Sequence, residues 1–271
     1  MLRQLIKKMV PEVLWQNLRS MKIRSMIKDF KPFYAGHTYG GHTLRVKIAD
    51  PLGKGWYDHD WQRLREIEIM SQGKLKTGAK VFDLGAHQGV VAMMLAKEVG
   101  NNGQVLAIEA NPHNQTVAAE NAQNNRMFNL QIVHAAVAES ECEIEFNEDL
   151  NGAIASDITT TKTVKVKGLP IDHLMKAYFC PDVVFMDIEG YEVKALKGAE
   201  KVLDAKADWF IEVHEPEKLQ AFGGSWQTVL DHFLKRNYKL LIGSEDGDFV
   251  PFAENHQYLR DRFFLIALSR S

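Results

Sequence analysis

Two short segments of the chain carry ionisable side chains in a pattern suited to proton or cation chemistry. One is Asp187-Ile188-Glu189-Gly190-Tyr191-Glu192, and the other is Glu212-Val213-His214. Each follows an apolar run of strand length, Val183–Met186 and Trp209–Ile211, so both sets stand at strand ends. Side chains two apart on a strand share a face, which puts Glu212 and His214 together. In one chemistry, His214 or a carboxylate acts as a general base and takes a hydroxyl proton; an unperturbed imidazole titrates near about 6.5. In the other, Asp187 with Glu212, Glu189 or His214 holds a divalent ion that acidifies a bound hydroxyl. Oxygen-rich ligation would favour Mg²⁺ or Ca²⁺ over zinc. Both readings stand at this level. A lone Asp187 would read as the cap of the helix that follows it, but four ionisable groups at two strand ends exceed what a cap requires.

A second group of residues describes what those groups would act beside. Val81-Phe82-Asp83-Leu84-Gly85-Ala86-His87-Gln88-Gly89 is an apolar strand running into a glycine turn with a helical pattern behind it. Glycines there supply positive φ and let a ligand approach bare backbone. Twenty residues past Gly89, the strand-like run Gln104–Ile108 ends in Glu109, placed for the two hydroxyls of a ribose. His87 stands where a dinucleotide fingerprint needs its middle glycine, and Asp83 would repel a pyrophosphate. An acid at that point suits a cationic ligand. A ribose, an ammonium group and no phosphate describe S-adenosylmethionine.

These segments need a scaffold, and its pattern is legible. From residue 80 onward strands are expected at 80–84, 104–109, 130–134, 182–187, 208–213, 238–242 and 263–268. Helices are expected at 88–99, 112–125, 190–203 and 226–236. Strand–helix alternation with short loops implies a parallel sheet covered on both faces. Residues 142–167 break the rhythm as a β-ribbon, Cys142–Phe146 with Thr163–Lys167, around a polar loop at 151–161. Ahead of the main domain, residues 34–52 alternate as a small β-hairpin ending in the turn-like Asp50-Pro51-Leu52-Gly53. Trp56, Tyr57 and Trp61 then cluster with Asp58, His59 and Asp60, either capping a ligand or packing the extension onto the core. Glu66, on the next helical stretch, is a further candidate for the cofactor's edge. His37 and His42 lack a partner at metal-ligand spacing and read as ordinary polar residues.

Bulk properties set the limits. With 271 residues and 45% hydrophobic content, the chain suffices for one large α/β domain with an extension. The net charge of −2 supplies no field for nucleic acid. It is uneven, however: eight Lys and Arg against Glu12 and Asp29 make residues 1–31 basic and amphipathic. That segment reads as a helical cover with a solvated face, or as a peripheral contact with a membrane surface or an acidic partner. Two cysteines without C-x-x-C spacing, and no apolar run long enough to span a bilayer, make the cytoplasm the default.

Taken together, Val81–Gly89, Val105–Glu109, Asp187–Glu192 with Ala195-Leu196-Lys197-Gly198-Ala199, and Glu212-Val213-His214 resemble the FkbM family of S-adenosylmethionine-dependent methyltransferases. The resemblance covers roughly residues 55–245, and residues 1–50 lie outside it. It implies an α/β, class I methyltransferase (Rossmann-like) sheet of seven strands, mostly parallel with an antiparallel last strand. It also implies O-methylation of a sugar, glycan or secondary metabolite. Residues 1–55 would form a basic helical and β-hairpin extension, and 56–271 the methyltransferase domain with its insertion at 142–167. Carried over by position, Asp83, Gly85 and Gly89 would hold the methionine portion and Glu109 the ribose. The Ala135–Ala136 backbone would border the adenine; Ala86 and Ala110 join the cofactor-binding set, with His87 at the cofactor's edge or facing the substrate. The catalytic set would be His214, Asp187, Glu212 and Glu189.

Other readings are weaker. Base N-methylation uses an Asn/Asp-Pro-Pro-aromatic turn where this chain has Asp187-Ile188-Glu189-Gly190. The Pro-Cys nucleophile of base C5 chemistry is reversed in Cys180-Pro181 and precedes the strand. Protein methylation and a non-catalytic cofactor-binding module remain as alternatives, the latter opposed by two complete strand-end clusters.

Overall fold

Strands buried on both faces read as continuous apolar runs, and the central strands here do so. The computed structural model describes residues 29–147, 163–245 and 247–270. Most of the basic segment 1–31 and the polar loop 151–161 therefore lie outside the described residues. In chain order the elements are β1 (Phe33–Tyr39), β2 (His42–Ile48), α1 (Pro51–Tyr57), α2 (Arg65–Met70), β3 (Lys80–Leu84), α3 (Val90–Val99), β4 (Gln104–Glu109), α4 (Pro112–Asn124) and β5 (Leu130–His134). There follow β6 (Ala136–Val137), β7 (Cys142–Asn147), β8 (Thr163–Leu169), α5 (Ile171–Ala177), β9 (Val183–Met186), α6 (Glu192–Lys197) and α7 (Glu200–Asp204). The chain closes with β10 (Asp208–Val213), α8 (Pro216–Ala221), α9 (Trp226–Leu234), β11 (Lys239–Gly243), β12 (Val250–Pro251) and β13 (Phe263–Leu268).

The main sheet has the order β12-β11-β13-β10-β9-β3-β4-β5. Pairings from β5 through β4, β3 and β9 to β10 are parallel, and β13 inserts antiparallel between β10 and β11. This is the class I methyltransferase arrangement. Its last strand is antiparallel as expected, and the short β12 adds an eighth strand to the seven anticipated. Alternation along β9 sorts Val184 and Met186 into one core and Val183 and Phe185 into the other. Two apolar layers thus clamp the sheet.

The ribbon at 142–167 forms a separate sheet, β6-β8-β7, with Cys142 opposite Gly168. The hairpin β1–β2 turns through Gly40 and Gly41, both at positive φ, as a tight two-residue turn demands. Its outer backbone does not go unpaired: Arg45 and Lys47 N–H groups donate to the side chains of Asn125 and Asn121 behind α4.

Two local readings need correction. Asp50-Pro51-Leu52-Gly53 is a helix start and not a simple turn. Asp50 Oδ1 accepts from the Leu52 and Gly53 N–H groups, and Pro51 occupies the first helical position. The helix expected over 190–203 is two helices, α6 and α7, broken at Gly198. A Cβ there would stand 2.5 Å from the Ala138 carbonyl oxygen, so the chain bends to let the small sheet approach. Among the described residues, no helix is long and apolar enough to cross a membrane.

Candidate active site

The strand-to-helix turn after β3 is built around two glycines and one acid. Gly85 has φ +94°, and a Cβ on it would lie 1.7 Å from the Asp187 carbonyl oxygen. Only glycine permits β9 to end against this turn. Gly89 has φ +81° and sits against Ala118 of α4, where a Cβ would stand 3.0 Å from the alanine Cβ. Between them His87 adopts φ +48°. Asp83 is buried, and its Oδ2 has no partner. Burial pushes this carboxyl up to about 7. A buried acid lacking a partner at a cavity wall is what a cationic ligand would satisfy.

Glu109 is buried beside it at the end of β4. Its Oε2 accepts from the His87 N–H at 2.7 Å and its Oε1 from the Asn111 N–H at 2.7 Å. Burial still pushes it up to about 7 against those donors. It therefore braces the glycine turn.

A cavity of about 530 Å³ opens beyond these strand ends. Asp83, Gly85, Ala86 and His87 form one wall, and Asp187, Glu189 and Glu212 another. The first subset of expected cofactor residues thus shares a single space with the expected catalytic acids. Gly89, Glu109, Ala110 and Ala136 are not in that wall, and the described part of the β-ribbon contributes nothing to it. Trp56, Tyr57 and Trp61 line it too, and they also pack the extension: Trp61 meets Tyr39 edge-on at 5.5 Å. The cluster therefore packs the extension onto the core and lines the cavity. Tyr57 Oη lies 2.7 Å from His87 Nδ1, tying α1 to the glycine turn. Below it, Asp50 Oδ2 accepts from Gln88 Nε2 at 2.5 Å and lies 3.0 Å from His113 Nε2.

His214 sits behind the acidic wall, only 2% exposed. Its Nδ1 is 2.9 Å from Glu192 Oε1, and Glu192 is wholly buried. Its Nε2 faces Glu189 at 3.4 Å, Asp187 at 3.6 Å and Glu212 at 3.8 Å. Burial alone would depress this imidazole, but Glu189, Glu192 and Asp187 outweigh it and push it up to about 11. Without another cation nearby, His214 is an imidazolium at neutral pH and offers no lone pair. Asp187 is 48% exposed, on the cavity side; enclosure by the surrounding walls and the charge of Glu212 push it above the usual carboxylate range. Glu212 is raised by burial, with His214 and Arg262 opposing. Glu189 falls to about 2, because His214 and Lys218 overcome its burial. Its left-handed backbone, φ +56°, is followed by Gly190 at φ +102°.

Three partners of this cluster had no role assigned from sequence. Glu192 lies within the quoted motif, and its spacing to His214 emerges only once β9 and β10 pair. Lys218 binds Glu189 at 2.6 Å, and Arg262 binds Glu212 at 2.7 Å and Glu245 at 2.6 Å. Arg262 is 50 residues from Glu212, and no local pattern announces it. Glu66 proves to be a wall residue of the same cavity, buried and raised to about 7 by that burial.

The chain matches the family described as the Methyltransferase FkbM domain over residues 83–240. No curated protein matches it significantly. Similar solved structures include the precorrin-6y C5,15-methyltransferase of Geobacter metallireducens, at 13% identity over 78% of this chain and 90% of that one, TM-score 0.47. An O-methyltransferase of Thermotoga maritima is 11% identical over 85% and 76% of the two chains, TM-score 0.48. Fibrillarin of Aeropyrum pernix, solved with S-adenosyl-L-methionine, is 10% identical over 90% and 86%, TM-score 0.47. The family match covers more than half of the chain and includes the glycine turn, the acid after β4 and both strand-end clusters: this chain belongs to the FkbM methyltransferase family and is an S-adenosylmethionine-dependent methyltransferase.

Proposed function

We propose that the chain transfers the sulfonium methyl group to a hydroxyl oxygen of a sugar, glycan or other polyhydroxylated small molecule. One observation carries the reading: the glycine turn and the acidic strand ends of β9 and β10 face the same cavity. An oxygen nucleophile must lose its proton as it attacks, and carboxylates at that wall are placed to receive it. The acceptor oxygen forms the new O–C bond while the C–S bond breaks. Its electron pair goes to sulfur, giving S-adenosylhomocysteine, and the hydroxyl proton goes to a carboxylate. With no other cation at the site, the acids around His214 draw it toward its charged form, so a carboxylate is the better-placed proton acceptor.

Asp83 would take the ammonium group and Glu109 the ribose. Gly85, Ala86, His87 and Gly89 would present backbone, and Ala110 and Ala136 would border the adenine. Trp56 and Trp61 supply flat apolar faces suited to the C–H face of a sugar ring. Cys142 and Cys180, both free and exposed, support a reducing, cytoplasmic setting. The test is methyl-labelled cofactor offered with free sugars, glycans, RNA and peptides. An alkali-stable ether on a sugar supports the reading; label on nucleic acid, on nitrogen or on a base-labile ester would overturn it.

A further inference from the structure

We propose that Asp187, Glu212 and His214 form a divalent-cation site of Mn²⁺ character, with Glu192 fixing the imidazole from behind and Glu66 left as the proton acceptor. The use of the ion in catalysis rests on the methyl-transfer reading; the ion site itself does not.

The ligand atoms of these three residues lie within 4.8 Å of one another. His214 Nε2 stands 3.6 Å from Asp187 Oδ1 and 3.8 Å from Glu212 Oε1, long for hydrogen bonds. Two ligands about 2.1 Å from one ion stand roughly 3.0–3.7 Å apart, so the Asp187 separation fits shared coordination and the Glu212 separation needs only a slight closure. The side of the imidazole away from the acids is equally specific. A metal-ligating histidine ordinarily gives its other ring N–H to a carboxylate, which sets tautomer and orientation. Glu192 Oε1 does this at 2.9 Å and also accepts the Gly190 N–H at 3.0 Å, while its wholly buried Oε2 has no partner. A buried, half-satisfied carboxylate behind a ring whose other nitrogen faces three more acids is costly unless further positive charge arrives.

Lys218 and Arg262 do not remove that cost. Lys218 is engaged by Glu189, and Arg262 is shared between Glu212 and the exposed Glu245. Glu189, whose Oε2 is taken by Lys218 at 2.6 Å, is left out of the ligand set; Glu212 Oε1 also accepts from Arg262 at 2.7 Å, so Glu212 ligates by sharing that oxygen or by turning Oε2 inward. Two carboxylates with one imidazole are too nitrogen-containing for a calcium cage and too oxygen-rich for structural zinc; Mn²⁺ accepts both donors. Three protein ligands leave positions open on the cavity side for an acceptor hydroxyl, which the ion would acidify. Glu66, in the same wall, is then the free carboxylate for the released proton.

The full chain, stripped with chelator and dialysed, is titrated with Mn²⁺ while the signal of the free ion is followed by electron paramagnetic resonance. S-adenosylhomocysteine binding is measured in parallel by calorimetry. One Mn²⁺ per chain is expected. Asp187→Asn and Glu212→Gln should weaken it at least tenfold, and Glu192→Gln by about 10–100-fold, as for other partners of ligating histidines. All three should bind S-adenosylhomocysteine as the parent does, which also certifies folding. Normal S-adenosylhomocysteine binding without stoichiometric Mn²⁺, or Mn²⁺ affinity unmoved by Asp187→Asn, would overturn the site and leave methyl transfer standing. Mn²⁺ bound without S-adenosylhomocysteine binding would uphold the site and overturn the methyl-transfer reading.

Discussion

The carbonyl oxygen of Asp187 packs onto Gly85 so closely that a Cβ there would lie 1.7 Å away. The turn that would hold the methionine portion and the strand end that would carry a catalytic acid are therefore one mechanical unit. Asp187 N–H also donates to the Leu84 carbonyl at 2.9 Å, just before that glycine.

Gly85→Ala should accordingly break both functions at once. Alanine faces an unfavourable φ of +94° and an overlap with rigid backbone that no rotamer relieves. We expect a fall of at least tenfold in S-adenosylhomocysteine affinity with a lowered melting temperature, read by calorimetry and thermal unfolding. Gly89→Ala, whose Cβ meets the Ala118 side chain at 3.0 Å, should do the same more mildly. Unchanged affinity in Gly85→Ala would mean that the ligand does not use this turn.

Cofactor binding should tighten as pH rises from about 5.5 to 7.5. Asp83 and Glu109 both titrate near 7 because burial favours their neutral forms. A ligand ammonium requires Asp83 ionised, so affinity is lost as pH falls through 7, by up to about tenfold per pH unit for each such proton. Asp83→Asn removes that proton from the balance. It should bind S-adenosylhomocysteine weakly and with a shallower pH slope, in calorimetric titrations across the range. A slope identical to the parent's would remove Asp83 from the ammonium site.

The sheet was readable because its strands are buried on both faces and its helices alternate with them at short spacing. Asp83, Gly85, Glu109 and the two acidic strand ends were readable because each lies within a few residues of a strand terminus. Expectation ran ahead of the local chemistry where long-range contact decides. The break at Gly198 exists because Ala138, 60 residues earlier, comes within touching distance. The charge on His214 depends on how closely the acids gather around it, and that distance is not in the sequence. Glu192, Glu189 and Asp187 approach it from one strand end and Glu212 from another, and their sum favours the charged imidazole. Asp50-Pro51, by contrast, carried a helix-start signal in plain view: an acid before a proline at the first helical position.

Glu66→Gln should raise stability and lower activity. Burial lifts the folded-state pKa of Glu66 from the ordinary 4.5 to about 7. The folded chain then holds this proton more tightly than the unfolded chain does, so stability is lost as pH rises from about 4.5 to 7 and stays lost above. Glutamine has no such charge to bury. The variant should melt higher than the parent at pH 8 and no higher at pH 5, while methyl transfer falls at least tenfold if Glu66 receives the acceptor's proton. Equal melting differences at the two pH values would show that Glu66 is not held neutral by its surroundings.

Asp50→Ala should loosen the aromatic wall without touching the acids. Asp50 is 1% exposed and caps α1 through Leu52 and Gly53, while its other oxygen holds Gln88 in the glycine turn and meets His113 of α4. Removing it forfeits the cap, about 1 kcal/mol, and leaves the buried Gln88 amide only its long 3.5 Å contact to Asn114 Oδ1, at about 1–3 kcal/mol more. Because α1 carries Trp56 and Tyr57 into the cavity, and Tyr57 in turn meets His87, the loss reaches the cofactor side through packing alone. Denaturant unfolding should show the destabilisation. S-adenosylhomocysteine affinity should fall several-fold, with the pH slope due to Asp83 intact. A stability loss with unchanged affinity would mean that α1 covers the core and has no part in shaping the pocket.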